Sequence, residues 1–407
     1  MAEGTIRYAL KTPNFGIFWV AQAISRFGDP ITLIALASIT YAETSSALYT
    51  SLAVVVATVP RATFGFFAGA IADSIGHRRA MVACDLSRAV LIAAVPLAIE
   101  LSGSLALAYV LVFVAALFSA MFNPARFSVI PSIVPPARLA ASNSVVYATD
   151  RTVEILGALA GGVLVATVGV LAFYVDAVTF AVSGLLLARL SIREGPPTRL
   201  SLSGVWSDTR TGLRFMRDVK LLRDNTVFSL LAQLSLPIFN GLLPVLIFRR
   251  FAQGDVDVGA AEFGLAEAAL AAGAVIGAVT LARVGGRIRK GTMLIGGFIA
   301  CGAAIVLSSA APTLEILLVC LVGTGIANVA FYVPNVSIAQ ELAPAAVRAR
   351  VFGARIALLS LSWLPITLAA GALADRFPVA LLIGVAGAFT MLVALAATQI
   401  EALSEVP

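Results

Sequence analysis

Three ionisable residues, Asp150, Arg151 and Glu154, stand close together in YATDRTVEILGALAGG (147–162), inside a run otherwise apolar enough to cross a membrane. A helix turns by about 100° per residue, so all three fall within about 100° of its circumference and form one polar face. A charge at mid-depth in a bilayer costs roughly 2.5 to 3.5 kcal/mol, so such a face is tolerable only if its charges pair or line a wet cavity. The same residue types recur in the first half of the chain as Arg26, Asp29, Arg61, Asp85 and Arg88. The chemistry open to them is proton exchange. A carboxylate that alternates between a guanidinium partner and a desolvated state swings its proton affinity, because opposite charge favours the ionised form and burial opposes it. Asp29 and Asp150 are the leading protonation candidates and Glu154 the next, with Arg61 and Arg151 as the expected partners. Permanent pairing that merely orients helices is the competing explanation for any one of them.

The elements that carry these residues are membrane helices. Of 407 residues 60% are hydrophobic and 12% charged, where a soluble chain carries about a quarter charged. Apolar runs predict about twelve spans, at 14–42, 46–72, 80–101, 104–125, 138–168, 170–190, 224–250, 259–284, 291–310, 313–340, 346–374 and 378–400. Lys and Arg cluster in every second connection, including eight between Arg189 and Arg223, whereas the alternate connections hold Arg249, Arg250 and Arg376. That asymmetry predicts both termini in the cytoplasm, and it accounts for the net charge of +6 without nucleic acid. The N-terminus shows no cleavable signal, and its first span is expected to act as the insertion signal. With a rise of 1.5 Å per residue, Asp29 lies about 22 Å from the cytoplasmic end of its span, Arg151 about 20 Å, and Arg26 and Asp150 about 18 Å.

The polar stretch 191–223 divides the chain into six-helix halves, 1–190 and 224–407. Within it Trp206, Leu213 and Met216 recur at helical spacing beside Arg210, Arg214 and Arg217. This pattern predicts a connector helix, lying at the lipid interface or solvated. The halves echo each other, since Pro124 and Pro334, Arg138 and Arg348, and Gly161 and Gly371 are each 210 positions apart. Duplicated halves suit a transporter with a mid-membrane site between them.

GAIADSIGHRR, beginning at Gly69, resembles the G-x-L-A-D-R-x-G-R-R signature of the major facilitator superfamily, at the cytoplasmic exit of the second span as in that family. The resemblance implies that Gly69, Asp73, Gly76, Arg78 and Arg79 form a cytoplasmic gate, with Asp85 and Arg88 grouped beside them; Ser74 and His77 depart from the signature. SRFGDPITLIAL, DLSRA, FNPARFSVIPSIVP, YVDAVTF and TGLRFMRDVKLLR are similar to the branch that holds enterobactin exporters and macrolide efflux pumps. That branch implies proton-driven export of an amphipathic drug, macrolide or siderophore. Gly157, Ala158, Gly161 and Gly162 resemble the antiporter signature G-P-x-x-G-G, with alanine in place of the proline.

Gly157 and Gly161 also make a small-xxx-small face, and Gly273 and Gly277 offer a matching one, so a seam is expected between 138–168 and 259–284. Arg26, Phe239, Glu267, Phe331, Tyr332 and Trp363 are candidate cavity residues. Pro237, Pro244, Pro334 and Pro365 mark expected kinks. Cys84, Cys301 and Cys320 suggest neither a disulfide framework nor a zinc site, and one histidine and no G-x-x-x-x-G-K-[S/T] loop point away from metal and nucleotide chemistry. The expectation is an all-α, non-enzymatic, monomeric transporter of the bacterial cytoplasmic membrane, without cofactor or metal. Its partners would be protons, membrane lipids and a small amphipathic substrate. A lipid or lysophospholipid flippase is the alternative, and a non-transporting receptor a remote one.

Overall fold

The computed structural model describes residues 13–63, 71–72, 74–135, 138–192 and 202–399. Regular structure among them is helical throughout. The helices are α1 (Pro13–Thr44), α2 (Ala47–Thr63), α3 (His77–Ser102), α4 (Leu105–Ile133), α5 (Leu139–Val168), α6 (Ala172–Leu187) and the connector α7 (Leu202–Asp218). They continue as α8 (Lys220–Ala232), α9 (Ser235–Leu246), α10 (Val256–Val284), α11 (Lys290–Ala310), α12 (Leu314–Leu342), α13 (Ala345–Ala374) and α14 (Val379–Ala397).

Among the described residues nine stretches are long and apolar enough to cross a membrane. One of them, Ser142–Leu187, carries both α5 and α6 through a 3-10 turn at Gly169–Leu171. Pro13–Thr44 has the length but bears Arg26, Asp29 and Glu43, and falls outside the nine. The single span expected at 224–250 is two helices. Pro237 cannot donate to the carbonyl four residues back, that of Gln233, and its ring crowds it, so the helix breaks between Ala232 and Ser235. A π turn over Ile247–Phe251 then ends the span.

The chain separates into two compact units, Met1–Ile39 with Val56–Leu202, and Thr40–Val55 with Ser203–Pro407. In the first unit α3 packs on α4 and α6, and α5 lies against α1. A Cβ on Gly157 would stand 2.3 Å from the Phe27 carbonyl oxygen, and one on Gly161 3.1 Å from the Ile31 Cα. Gly162 is buried beside them. In the second unit Gly273 and Gly277 of α10 press on Val322 and Ile326 of α12. Each of the two small-residue faces thus meets a helix of its own unit. A small-residue face admits any backbone that reaches it, and spacing alone does not say which one.

The connector α7 docks on the second unit. Gly212 lies against the Arg350 carbonyl, and Met216 is buried with Leu222, Ala339, Ala343, Val351 and Ala354. Arg210, Arg214 and Arg217 remain exposed. The side chain of Trp206 lies outside the described residues.

Thr40–Val55 is held in the second unit by polar contacts at the start of α2. Asp375 accepts hydrogen bonds from Ser46 Oγ at 2.8 Å, Ala47 N at 2.7 Å and Leu48 N at 3.3 Å, acting on the free N–H groups as a capping carboxylate. Arg249 donates to Asp375, to the Ala374 carbonyl and to the Ser45 carbonyl. Tyr41 stacks on Phe248, and Ser51 Oγ donates to the Gly241 carbonyl. Partial burial pushes the Asp375 carboxyl up, but the bonds from Ser46, Ala47, Leu48 and Arg249 outweigh it and hold it below the usual carboxylate range. Its contribution is then complete above the unfolded value of about 3.9 and is lost as pH falls through the lower folded value. In thermal unfolding of purified protein, Asp375→Asn should lower the midpoint at pH 6 and flatten its fall between pH 5 and 3. An unchanged acid profile would remove Asp375 from the account.

Candidate functional site

The polar residues of the first unit converge on α1. Asp29 is one-tenth exposed and is shared by two guanidiniums, Arg26 of the same helix at 3.4 Å and Arg88 of α3. Arg26 Nη2 also donates to Asn123 Oδ1 of α4 at 2.7 Å. Arg88 reaches Asp85 one turn away at 3.7 Å and lies over the Phe180 ring of α6, 3.7 Å from its centroid. Asp85 accepts from Ser183 Oγ at 2.5 Å. Asp176 of α6 is fully buried and accepts from Thr32 at 2.5 Å and Thr179 at 3.2 Å. Gly28 makes room for it, since a Cβ there would stand 1.9 Å from Asp176 Oδ1.

A second pair adjoins the first. Arg126 of α4 bonds Asp150 of α5 at 2.6 Å, both side chains mostly buried. Gln22 joins the clusters: with its amide oxygen facing the cations it accepts from Arg26 Nε at 3.1 Å and Arg126 Nη1 at 2.8 Å. Trp19 Nε1 donates to Thr149 Oγ1 at 2.8 Å beside it. One oxygen of Asp85 and one of Asp150 are buried with no hydrogen-bond partner among the described residues. Buried carboxylate oxygens in that state are open to a proton or to a polar group of a ligand.

The pairing differs from the sequence expectation. Asp150 is held by Arg126, not Arg151. Successive residues point about 100° apart on a helix, and Arg151 turns instead to Glu154 at 2.6 Å, with side chains 37% and 46% exposed. Asp29 is held by Arg26 and Arg88; the side chain of Arg61 lies outside the described residues, as do Gly69 and Asp73 entirely. Asp85 and Arg88, grouped by sequence with the gate, stand against Asp29 and Phe180. Of the remaining gate candidates, Gly76 (φ 90°) precedes α3 in a conformation that favours glycine. Arg78 donates to the carbonyls of Leu187 and Ala188 at the end of α6, where a cation suits the helix terminus. Arg79 is exposed.

Two of the candidate cavity aromatics are core. Phe239 and Phe331 are each 1% exposed, and Phe331 stacks on Phe298 with centroids 4.1 Å apart. Tyr332 is exposed, Trp363 and Glu267 are half-buried, and Arg26 belongs to the ionic cluster. Arg126, Asn123, Gln22, Thr32 and Asp176 were missing from the sequence-derived set. Asp176 had a usable signal, as the one acid inside an otherwise uncharged span, and Arg126 sits two residues after Pro124 in FNPARFSVIP.

Apolar helices long enough to cross a membrane define a multi-pass membrane protein, whose first unit buries a bonded ionic cluster. The model described as Major Facilitator Superfamily matches residues 18–355, and the chain belongs to that family. It is 28% identical over 341 residues to the multidrug efflux pump Tap of Mycolicibacterium fortuitum, covering 80% of each chain. To the pump of the same name from Mycobacterium tuberculosis it is 26% identical over 324 residues, 77% of this chain and 75% of that one. An uncharacterised transporter of the same type from Bacillus subtilis, YfiS, is 25% identical over 92% of this chain and 90% of its own. Among solved structures an auto-inhibited peptide transporter of the POT family superposes with a TM-score of 0.75 at 12% identity, covering 95% and 96% of the two chains. At that identity the likeness establishes the fold alone.

Proposed function

We propose that the protein is a proton-coupled exporter of amphipathic small molecules in a bacterial inner membrane, with both termini cytoplasmic, working by alternating access of its two halves. The observation that carries this reading is the pair of mid-helix carboxylates, Asp29 and Asp150, each held by a guanidinium from another helix. A carboxylate so placed has two states. Ionised, it binds its arginine; protonated, it releases it, and the helices it ties together, α1 with α3 and α4 with α5, are free to shift. The free oxygen of Asp150 is where its proton would sit. Glu154, with Arg151, lies nearer the surface of the cluster and would relay protons to it. The efflux reading draws on the relatives named as multidrug efflux pumps.

Asp29→Asn and Asp150→Asn should each abolish export of ethidium driven by an imposed pH gradient, measured per folded molecule in proteoliposomes, and Asp150→Asn, which leaves Arg126 buried without its carboxylate, should also lower the yield. The amide retains the shape and a hydrogen-bond acceptor but cannot exchange the proton. Wild-type gradient-driven rates in both variants would overturn the proposal.

A further inference from the structure

Among the described residues the second unit contains one buried arginine, treated quite differently from those of the first. Arg355 of α13 is 5% exposed, and no ion pair joins it to a carboxylate among the described residues. Its Nη2 donates to Asn335 Oδ1 of α12 at 2.7 Å, and its Nη1 approaches the Asn335 backbone carbonyl at 3.5 Å. The same Oδ1 also accepts from Asn225 Nδ2 at 3.2 Å and Ser229 Oγ at 3.0 Å, both on α8. Three donors from two helices thus gather on one neutral amide oxygen, which cancels none of the positive charge. Arginine does not shed its proton in a protein, and an ionised group buried without a counter-charge is expensive. Arg88 and Arg126 each meet that demand with an aspartate; Arg355 has an amide where they have an acid.

We infer that Arg355, Asn335, Asn225 and Ser229 form an oxyanion subsite, which takes the carboxylate or phosphate of an amphipathic cargo. The guanidinium fork is matched to two oxygens of such a group; the Ser229 hydroxyl would turn its one hydrogen from Asn335 Oδ1 to the oxyanion, and the second N–H of the Asn225 amide adds a donor beside it. Asn225 Oδ1 is buried with no partner among the described residues, and offers an acceptor for an N–H or O–H next to the acid group. Tyr332, one turn before Asn335, is 56% exposed, and Ile356, next to Arg355, is 49% exposed. An apolar chain attached to the oxyanion would lie on those two residues.

The inference rests on the export reading for the origin of its ligand, so its test is an equilibrium measurement without any gradient. Purified protein in a neutral detergent is titrated with dansylaminoundecanoic acid or its methyl ester, and binding is read by energy transfer from tryptophan to dansyl. Wild type should bind the acid about tenfold more tightly than the ester, as a charge-assisted bidentate contact provides. Arg355→Met should bring the two affinities together. Asn335→Asp supplies an internal carboxylate to all three donors, so it should keep or raise the unfolding temperature and also remove the preference. An arginine that only staples α12 to α13 would alter the unfolding temperature and leave the acid-to-ester ratio untouched. Dodecyl phosphate should compete and inorganic phosphate should not; equal competition by the two would overturn assignment to an amphiphile. No preference in wild type, or an undiminished one in both variants, overturns the subsite. Neither result bears on proton coupling, which the Asp29 and Asp150 variants address separately.

Discussion

Arg88→Met should leave almost no folded, monodisperse protein after detergent extraction. Its guanidinium lies between Asp29 and Asp85 and over the ring of Phe180, so a single deletion leaves Asp85 buried without its cation and Asp29 with only the more distant Arg26. Breaking a buried pair from one side costs about 3 to 5 kcal/mol, a large part of the roughly 5 to 15 kcal/mol that holds a typical domain folded. Lysine should rescue poorly, because an ammonium is a point charge and cannot fork between two aspartates. Adding Asp29→Asn and Asp85→Asn to Arg88→Met removes the orphaned charges, and the triple variant should recover most of the lost yield. That recovery would separate charge from packing. If Arg88→Met melted at the wild-type temperature in a fluorescence-detected assay, the cluster would not be the ionic unit its geometry describes.

Gly157→Val should be nearly as damaging for a steric reason. A Cβ there would sit 2.3 Å from the Phe27 carbonyl oxygen, which is backbone and has no rotamer to escape into. Overpacking costs about 1 to 3 kcal/mol and more where backbone must move. Here it would also part α5 from α1 beside the Trp19–Thr149 bond and the Arg126–Asp150 pair. Loss of yield together with loss of ethidium export is the expected outcome. Gly296→Ala is the control, because no atom lies within 4 Å of a Cβ at that position on α11, and alanine favours helix by about 1 kcal/mol over glycine. Equal behaviour of Gly157→Val and Gly296→Ala would refute the close approach of α1 and α5.

Much of the helical layout is written in hydropathy, because a membrane crossing needs some twenty apolar residues and the runs announce themselves. The break in the 224–250 run is legible too, once Pro237 is read against the carbonyl of Gln233 rather than as a generic kink. The acid and base content of the site was also visible, since Asp29 and Asp150 are costly wherever they sit. Partner choice was not. Arg151 is adjacent to Asp150 in sequence, but helix geometry turns it aside, and the true partner Arg126 arrives from α4. Asp85 and Arg88 were assigned by the motif beside them, whereas their roles depend on α1 and α6 lying alongside. Arg355 was invisible for the opposite reason: it stands near Arg348 and Arg350 and looks like one more basic residue at a helix start. Only the fold puts it under the surface with no acid paired to it among the described residues.

The division of the chain into units has a consequence for biosynthesis. Ser46 and the two N–H groups that Asp375 caps are made 329 residues before the group that caps Ser46. At about 5 to 20 residues per second, the opening hairpin waits on the order of 16 to 66 s before its acceptor exists. Through that interval water and the bend's own hydroxyls, Thr44 and Ser46, must serve it instead. The second unit is thus finished by a segment synthesised near the beginning, so its assembly cannot simply follow the order in which the ribosome delivers it.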